Sequence, residues 1–246
     1  GEGWGERHID EYRADGTVVG RSHTYAWEPQ YGPADLAFNA NTGKLWAAGV
    51  GEDLNCIHEI DPEIGVTGNM ICPAWMFSAR GLAYDPDTDT YFGGGWNDLM
   101  VYRFTPEGTI LEAINTGLPI AGLAYNPDTQ HLFIMISLDP SLLLVLDTAD
   151  GYVERGRFEI PGFSAYGGAG LEIDCDGNLW AVDQMANLVY QVESGEESSW
   201  CRTNVPWVAA TPDHGEIAAD GALPVNVTFD TRGITQPGDY YGQLRI

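Results

Sequence analysis

Short apolar runs alternate with turns rich in Gly, Asn, Asp and Pro along most of the chain, and one phrase keeps returning. "ADLAFNANTGKLWAAGVG" starts at Ala34, "RGLAYDPDTDTYFGGGWN" at Arg80, "AGLAYNPDTQHLFIMISL" at Ala121 and "AGLEIDCDGNLWAVDQ" at Ala169. Each holds a Leu two residues before an aromatic or aliphatic residue, then an Asn/Asp turn, then a second apolar run. Leu36, Leu82, Leu123 and Leu171 recur at intervals of roughly 41 to 48 residues, a spacing typical of propeller blades. The turns are Asx-favoured corners between two strands. No sustained 3.6-residue apolar period with caps appears, so the pattern predicts strands and no helices.

Each unit continues alike. "CIHEIDPE", "LMVYRFTPEG", "LLLVLDTADG" and "LVYQVESGE" read as third strands, and "VTGNMIC", "TILEAINT" and "YVERGRFEI" as fourth strands in three of the units. A lone four-stranded blade leaves both faces uncovered. Packing similar blades around an axis covers them and leaves only short edges. Near the start, "HIDEYRADGTVVGRSHTY" matches "LMVYRFTPEGTILEAINT" as strand, turn, strand. This half blade suggests a ring of about five blades. A four-bladed ring closed by the N-terminal hairpin is the alternative.

After Cys201 the pattern lengthens. "VNVTF" and "YYGQLRI" alternate between Pro/Gly turns, as in an antiparallel sandwich. The expected division is therefore 1–201 for the propeller and 202–246 for an incomplete Ig-like sandwich. The strand Tyr240, Tyr241, Gly242, Gln243, Leu244, Arg245 and Ile246 carries one blunting charge, Arg245. An open edge of this kind is normally paired or covered. A neighbouring copy or companion chain is expected to complete it by strand addition, building a filament or ring.

The repeats resemble extracellular bacterial β-propellers of the NHL and YVTN type, through "GLAYDPDTDTYFGGGW" and "GLEIDCDGNLWAVD". The last stretch resembles the Ig-like modules of bacterial secreted proteins, through Pro206, Trp207, Pro212, Gly215, Val225, Val227, Phe229, Asp230, Pro237, Gly238, Tyr240 and Gly242. That order of modules is similar to the C-terminal part of large secreted proteins, among them subtilisin-like peptidases. The resemblance implies architecture rather than activity, and no Gly-x-Ser-x-Gly elbow occurs. In those modules further strands usually follow the point where this sequence stops.

Acidic residues outnumber basic ones 36 to 11, giving a net charge of −25, and Lys44 is the single lysine. Such a chain repels nucleic acid and anionic membranes. No apolar stretch is long enough to span a bilayer. A chain that starts at Gly1 and lacks a signal peptide reads as a processed or excised piece. Four cysteines without close pairs fit two disulfides in an exported protein better than a zinc site. Cys56 and Cys72 sit equally far from a turn near Glu63 and Ile64, which faces them across a hairpin and predicts their bond. Cys175 is then expected to pair with Cys201.

Candidate chemistry is sparse. Asp174, Asp176 and Asn178 in "DCDGN" look like the start of a calcium loop but lack the later Glu, and Asp85, Asp87 and Asp89 have similar spacing. His8, His23, His58, His131 and His214 are scattered, with no metal-ligand spacing. A lactonase-like propeller would place carboxylates and an Asn around an axial metal, drawing on Glu172, Asp183 or Asn97. Trp46, Trp96 and Trp180 read as inter-blade packing, with glycan stacking as the functional counterpart. "NVT" from Asn226 matches a glycosylation acceptor, whereas "GGGW" and "YGGAG" lack the features of a phosphate loop. The expectation is a non-catalytic, extracellular structural or adhesive protein with no cofactor, calcium aside. The alternatives are a metal-dependent propeller hydrolase and a glycan-binding propeller attached to a secreted peptidase.

Overall fold

A computed structural model describes residues 8–24, 33–49, 56–75, 78–198, 208–211, 221–230 and 232. The chain divides into two compact units, Gly1–Cys201 and Arg202–Ile246. The first is built from antiparallel sheets. Blade 1 holds β3 (Pro33–Asn39), β4 (Lys44–Gly49), β5 (Ile57–Asp61) and β6 (Gly65–Ile71), and blade 2 holds β7 (Ala79–Asp85), β8 (Thr90–Gly95), β9 (Met100–Phe104) and β10 (Ile110–Asn115). Blade 3 follows with β11 (Ile120–Asn126), β12 (His131–Ile136), β13 (Leu142–Asp147) and β14 (Val153–Phe158). Blade 4 has three strands, β15 (Gly168–Ile173), β16 (Asn178–Asp183) and β17 (Leu188–Glu193). The returning phrase is thus the inner hairpin of each blade, and its first strand lines the axis.

The ring closes with four blades, the alternative of the sequence reading, and not with five. Inner strands β3, β7, β11 and β15 neighbour one another in turn, and β15 returns to β3. The N-terminal hairpin, β1 (His8–Tyr12) with β2 (Val18–Thr24), forms its own two-stranded sheet, and β2 approaches β6. Among the described residues it brings no inner strand, so it adds no wedge to the ring.

Blades pack through alternating apolar faces. Trp46, Ile57 and Ile71 of blade 1 meet Leu82, Tyr84, Tyr91 and Phe104 of blade 2 in one cluster. Phe92 and Val101 meet Leu123, Leu132 and Ile134 in the next, and Phe133, Met135 and Leu143 meet Leu171, Ile173 and Leu179 in a third. Close approach at the axis needs glycine. A Cβ on Gly122 would lie 2.6 Å from both the Gly170 carbonyl carbon and the Leu171 nitrogen.

The Asx turns close the inner hairpins as expected. Asn39 Oδ1 accepts from the N–H groups of Asn41 and Thr42, Asp85 Oδ1 from Asp87, and Asn126 Oδ1 from Asp128. In the second unit, β18 (Val208–Thr211) pairs antiparallel with β19 (Asn226–Phe229). The apolar residues of its alternating stretch, Val225, Val227 and Phe229, are exposed, with Phe229 at 68%.

Candidate functional site at the propeller axis

Aligning the inner strands by the ring stacks their residues in layers. From the N-terminal end these are Ala34, Arg80, Ala121 and Ala169, then Asp35, Gly81, Gly122 and Gly170, then four leucines, then Ala37, Ala83, Ala124 and Glu172. The shared phrase is Ala-Gly-Leu-Ala. It is broken three times, each time by an ionisable residue: Arg80, Asp35 and Glu172.

Asp35 stands where the other blades have glycine, and its carboxylate crosses the axis. Oδ2 accepts the N–H of Leu82 at 2.9 Å and of Leu123 at 2.9 Å. Oδ1 accepts the N–H of Leu171 at 3.2 Å and of its own neighbour Leu36 at 3.0 Å. One side chain on blade 1 thereby holds a backbone donor from every blade. Gly170 helps make room for it, since a Cβ there would stand 3.2 Å from Asp35 Oδ1. Enclosure pushes the Asp35 carboxyl well above its ordinary range, opposed by the donors of Leu123, Leu82 and Leu171, while Glu172, when ionised, adds to the rise. The donor count decides for the anion. Each oxygen receives two N–H groups, so a proton on either would displace one of these backbone donors.

Glu172 replaces an alanine two residues beyond Gly170. It keeps some accessible surface, while enclosure of its carboxyl raises it to about 8, against N–H donation from Ile173 at 3.0 Å and from Phe38. At neutral pH this group carries a proton. The axis therefore holds one carboxylate and one neutral acid, a division of charge that two buried carboxyl groups favour. Arg80, at the N-terminal mouth, lies with its Cζ 4.9 Å from the Trp96 ring centroid, and burial lowers its guanidinium from the ordinary range.

The remaining candidates sit elsewhere. Cys56 and Cys72 form a disulfide just outside the Ile57–Ile71 pair of the β5–β6 hairpin. Cys175 is also in a disulfide, and its expected partner Cys201 lies outside the described residues. Asp174 accepts from the N–H groups of Asp176 and Asn178, from the Asn178 amide and from Trp180 Nε1 at 2.8 Å. Its oxygens thus close the "DCDGN" turn upon itself. In the similar turn, Asp85 binds Arg103 at 2.7 Å and Asp89 accepts from Tyr84. Among the described residues, no three His, Cys, Asp or Glu side chains gather as a metal site.

Asp183, at the end of β16, accepts from the N–H groups of Ser164, Met185 and Ala186, while Asn97 is exposed on the loop after β8. Neither is brought to Glu172. His131 Nδ1 lies 2.5 Å from Glu196, which also accepts from Thr129 and Asn126 and docks the segment after blade 4 onto blade 3. His58 is buried, and burial lowers it. The side chains of His8, His23 and His214, and the proposed edge Tyr240–Ile246, lie outside the described residues. Trp46 packs between blades against Tyr91, as expected, at 5.8 Å.

A shallow groove of about 310 Å³ lies between the turns of blades 2 and 3, lined by Asp85, Asp87, Thr88, Arg103, Tyr125, Gln130 and Thr148. No helix among the described residues is long and apolar enough to cross a membrane.

Sequence reasoning placed Glu172 on the channel but passed over Asp35 and Arg80. The signal was present in the four aligned phrases, as the positions where a shared residue is replaced by a charged one.

No known family model and no curated protein matches the chain. Solved structures do. Glutaminyl cyclase of Myxococcus xanthus aligns at 14% identity over 83% of this chain and 86% of its own, with a TM-score of 0.58. A protein of unknown function from Bacteroides caccae aligns at 12% identity over 78% and 73%, with a TM-score of 0.54. Hydrazine synthase of Kuenenia stuttgartiensis aligns at 18% identity over 68% of this chain, which spans 45% of that chain, with a TM-score of 0.46. At these identities the likeness to the first two concerns fold alone, and the strand order of this chain makes it an all-β, four-bladed propeller.

Proposed function

We propose that this propeller is a non-catalytic structural or adhesive module of an exported protein. The observation that carries the reading is Asp35. A propeller hydrolase needs axial carboxylates that are free to ligate a metal or move a proton. Here the central carboxylate has all its acceptor positions occupied by the blades it holds together. The three candidates for a metal-dependent reaction, Glu172, Asp183 and Asn97, are separated among different elements. The disulfides and the charge of −25 suit an extracellular setting. The test is turnover of ester and lactone substrates with calcium, zinc or manganese added. The reading expects rates equal to buffer. Saturable turnover that disappears in Glu172→Gln overturns it.

A second reading, glycan binding, is favoured by the polar groove beside Arg103, since carboxylates, an amide and a guanidinium are the planar groups that hydrogen-bond sugar hydroxyls. Binding of neutral sugars that is lost in Gln130→Ala supports it. Binding unaffected by that change removes the groove from consideration.

A further inference from the structure

Arg80 is the one charged residue at the axis whose electrostatic partner does not lie within the described protein. Lys44, Arg103, Arg155, Arg157 and Arg232 each pair with a carboxylate, on Asp61, Asp85, Asp147, Glu154 and Asp230 respectively. Arg13 is exposed to water. Arg80 is only partly exposed, its Nε is buried without a hydrogen-bond acceptor, and among the described residues no carboxylate forms an ion pair with it. In a chain with 36 acidic residues, an unpaired half-buried guanidinium is a departure that asks for a cause. A buried polar atom without a partner points to a missing one.

Its position supplies the second argument. Arg80 stands in the outermost layer of the axis, where the other three blades carry alanine, and Ala34 and Ala169 are partly open beside it. Trp96 begins the loop after β8, where its N–H donates to Ser78, and it reaches across to pack on the cluster shared by blades 3 and 4. Its ring lies under the guanidinium, a cation–π contact that leaves the Arg80 Nε–H without an acceptor. Ser137 occupies the equivalent place on blade 3, donating its N–H to Pro119, and its buried hydroxyl also lacks a partner. Two donors without acceptors thus sit on adjacent blades at the same end of the axis, Arg80 on the inner strand of blade 2 and Ser137 at the place that Trp96 holds on blade 2.

We propose that Arg80, lying over the Trp96 ring at the axial mouth, is the anchor of a binding site for a small ligand bearing a carboxylate. A planar fork of N–H donors matches a carboxylate in a bidentate fashion. The inference goes beyond the structural or adhesive reading and does not depend on it, since a non-catalytic module and an enzyme both use such an anchor.

The experiment follows the Arg Nε–H resonances of the whole chain, with Arg80 assigned by its loss in Arg80→Gln. The probes are acetate, glucuronate, glucose and inorganic phosphate. A saturable shift of the Arg80 signal alone is expected with acetate and glucuronate, at a Kd of about 10 mM or tighter, and none with glucose. Glucuronate binding more tightly than acetate assigns contacts to the sugar ring. Arg80→Lys, which keeps the charge and loses the fork, is expected to weaken binding roughly tenfold. Equal responses to phosphate and acetate would mark an adventitious ion only and overturn the proposal. So would an Arg80 signal that does not respond, or an Nε–H already hydrogen-bonded in the free protein. The wild-type titration stands even if the Arg80→Gln variant is unstable.

Discussion

Replacing Asp35 with asparagine keeps the size and shape of the side chain and removes half of its acceptor capacity. The carboxylate takes four N–H donors, two on each oxygen, at 2.9 to 3.2 Å. An amide oxygen has two lone pairs, and the amide NH2 turns its own hydrogens toward the other two donors. At least two buried backbone N–H groups then lose their partner, each at a cost of about 1–3 kcal/mol. The expected destabilisation is about 2–6 kcal/mol, a large share of the roughly 5–15 kcal/mol that holds a domain together. In a domain of this size each kcal/mol moves Tm by roughly 2–4 °C, so a fall of roughly 5–20 °C is expected. Chemical denaturation of Asp35→Asn with the disulfides intact measures it. Asp35→Gly adds an internal control, because it leaves four converging N–H groups around a small space that formate can fill. Formate is expected to stabilise that variant more than the wild type. An Asp35→Asn protein within ~0.5 kcal/mol of wild type would refute the claim that this carboxylate fastens the blades.

Glu172→Gln should change the pH dependence of stability. The raised carboxyl, at about 8 against an ordinary 4.5, keeps its proton in the folded protein while the unfolded chain releases it. Wild-type stability therefore falls between about pH 4.5 and 8, by up to ~1.4 kcal/mol per pH unit. The variant, measured by urea unfolding across this range, should lose that slope; parallel curves would count against a protonated Glu172. Removing the Cys56–Cys72 bond, which spans 16 residues, should lower stability by ~3 kcal/mol, and an unchanged urea midpoint would show that the hairpin is held without it. Gly122→Ala places a methyl group 2.6 Å from the backbone of Gly170 and Leu171 and should cost about 2 kcal/mol or more. Gly156→Ala meets nothing within 4 Å and should stay within ~0.5 kcal/mol, so equal effects at the two glycines would contradict the axial packing.

Much of this architecture was legible in the chain. The Leu spacing gave the inner strands, the Asx turns gave the hairpins, and the symmetric placement of Cys56 and Cys72 about one turn gave their bond. Blade number was not legible, because ring closure depends on whether β15 reaches β3. A hairpin such as β1–β2 has the pattern of an outer strand pair whether or not a blade stands behind it. Asp35 was hidden for a related reason. "ADLAF" beside three copies of Ala-Gly-Leu looks like an ordinary strand variant until the ring brings three other backbones to the same point. Trp96 was assigned to packing, and it does pack. What its sequence position could not convey is that its ring also faces Arg80, since the two meet only through the register of the β7–β8 hairpin, which shifts between Ala79 and Gly81. "DCDGN" shows the reverse effect, because its calcium-like spacing is used by Asp174 to bind its own turn and Trp180.

The most direct test of the account is a through-hydrogen-bond coupling measurement on isotope-labelled protein, from the backbone nitrogens of Leu82, Leu123 and Leu171 to the side-chain carboxyl carbon of Asp35. The account predicts a coupling from each of the three, one per neighbouring blade, persisting at neutral pH. If none of the three is coupled to Asp35, and their amides exchange with solvent as readily as exposed ones, the four blades are not fastened by this side chain, and the reading of the axis as structural fails with it.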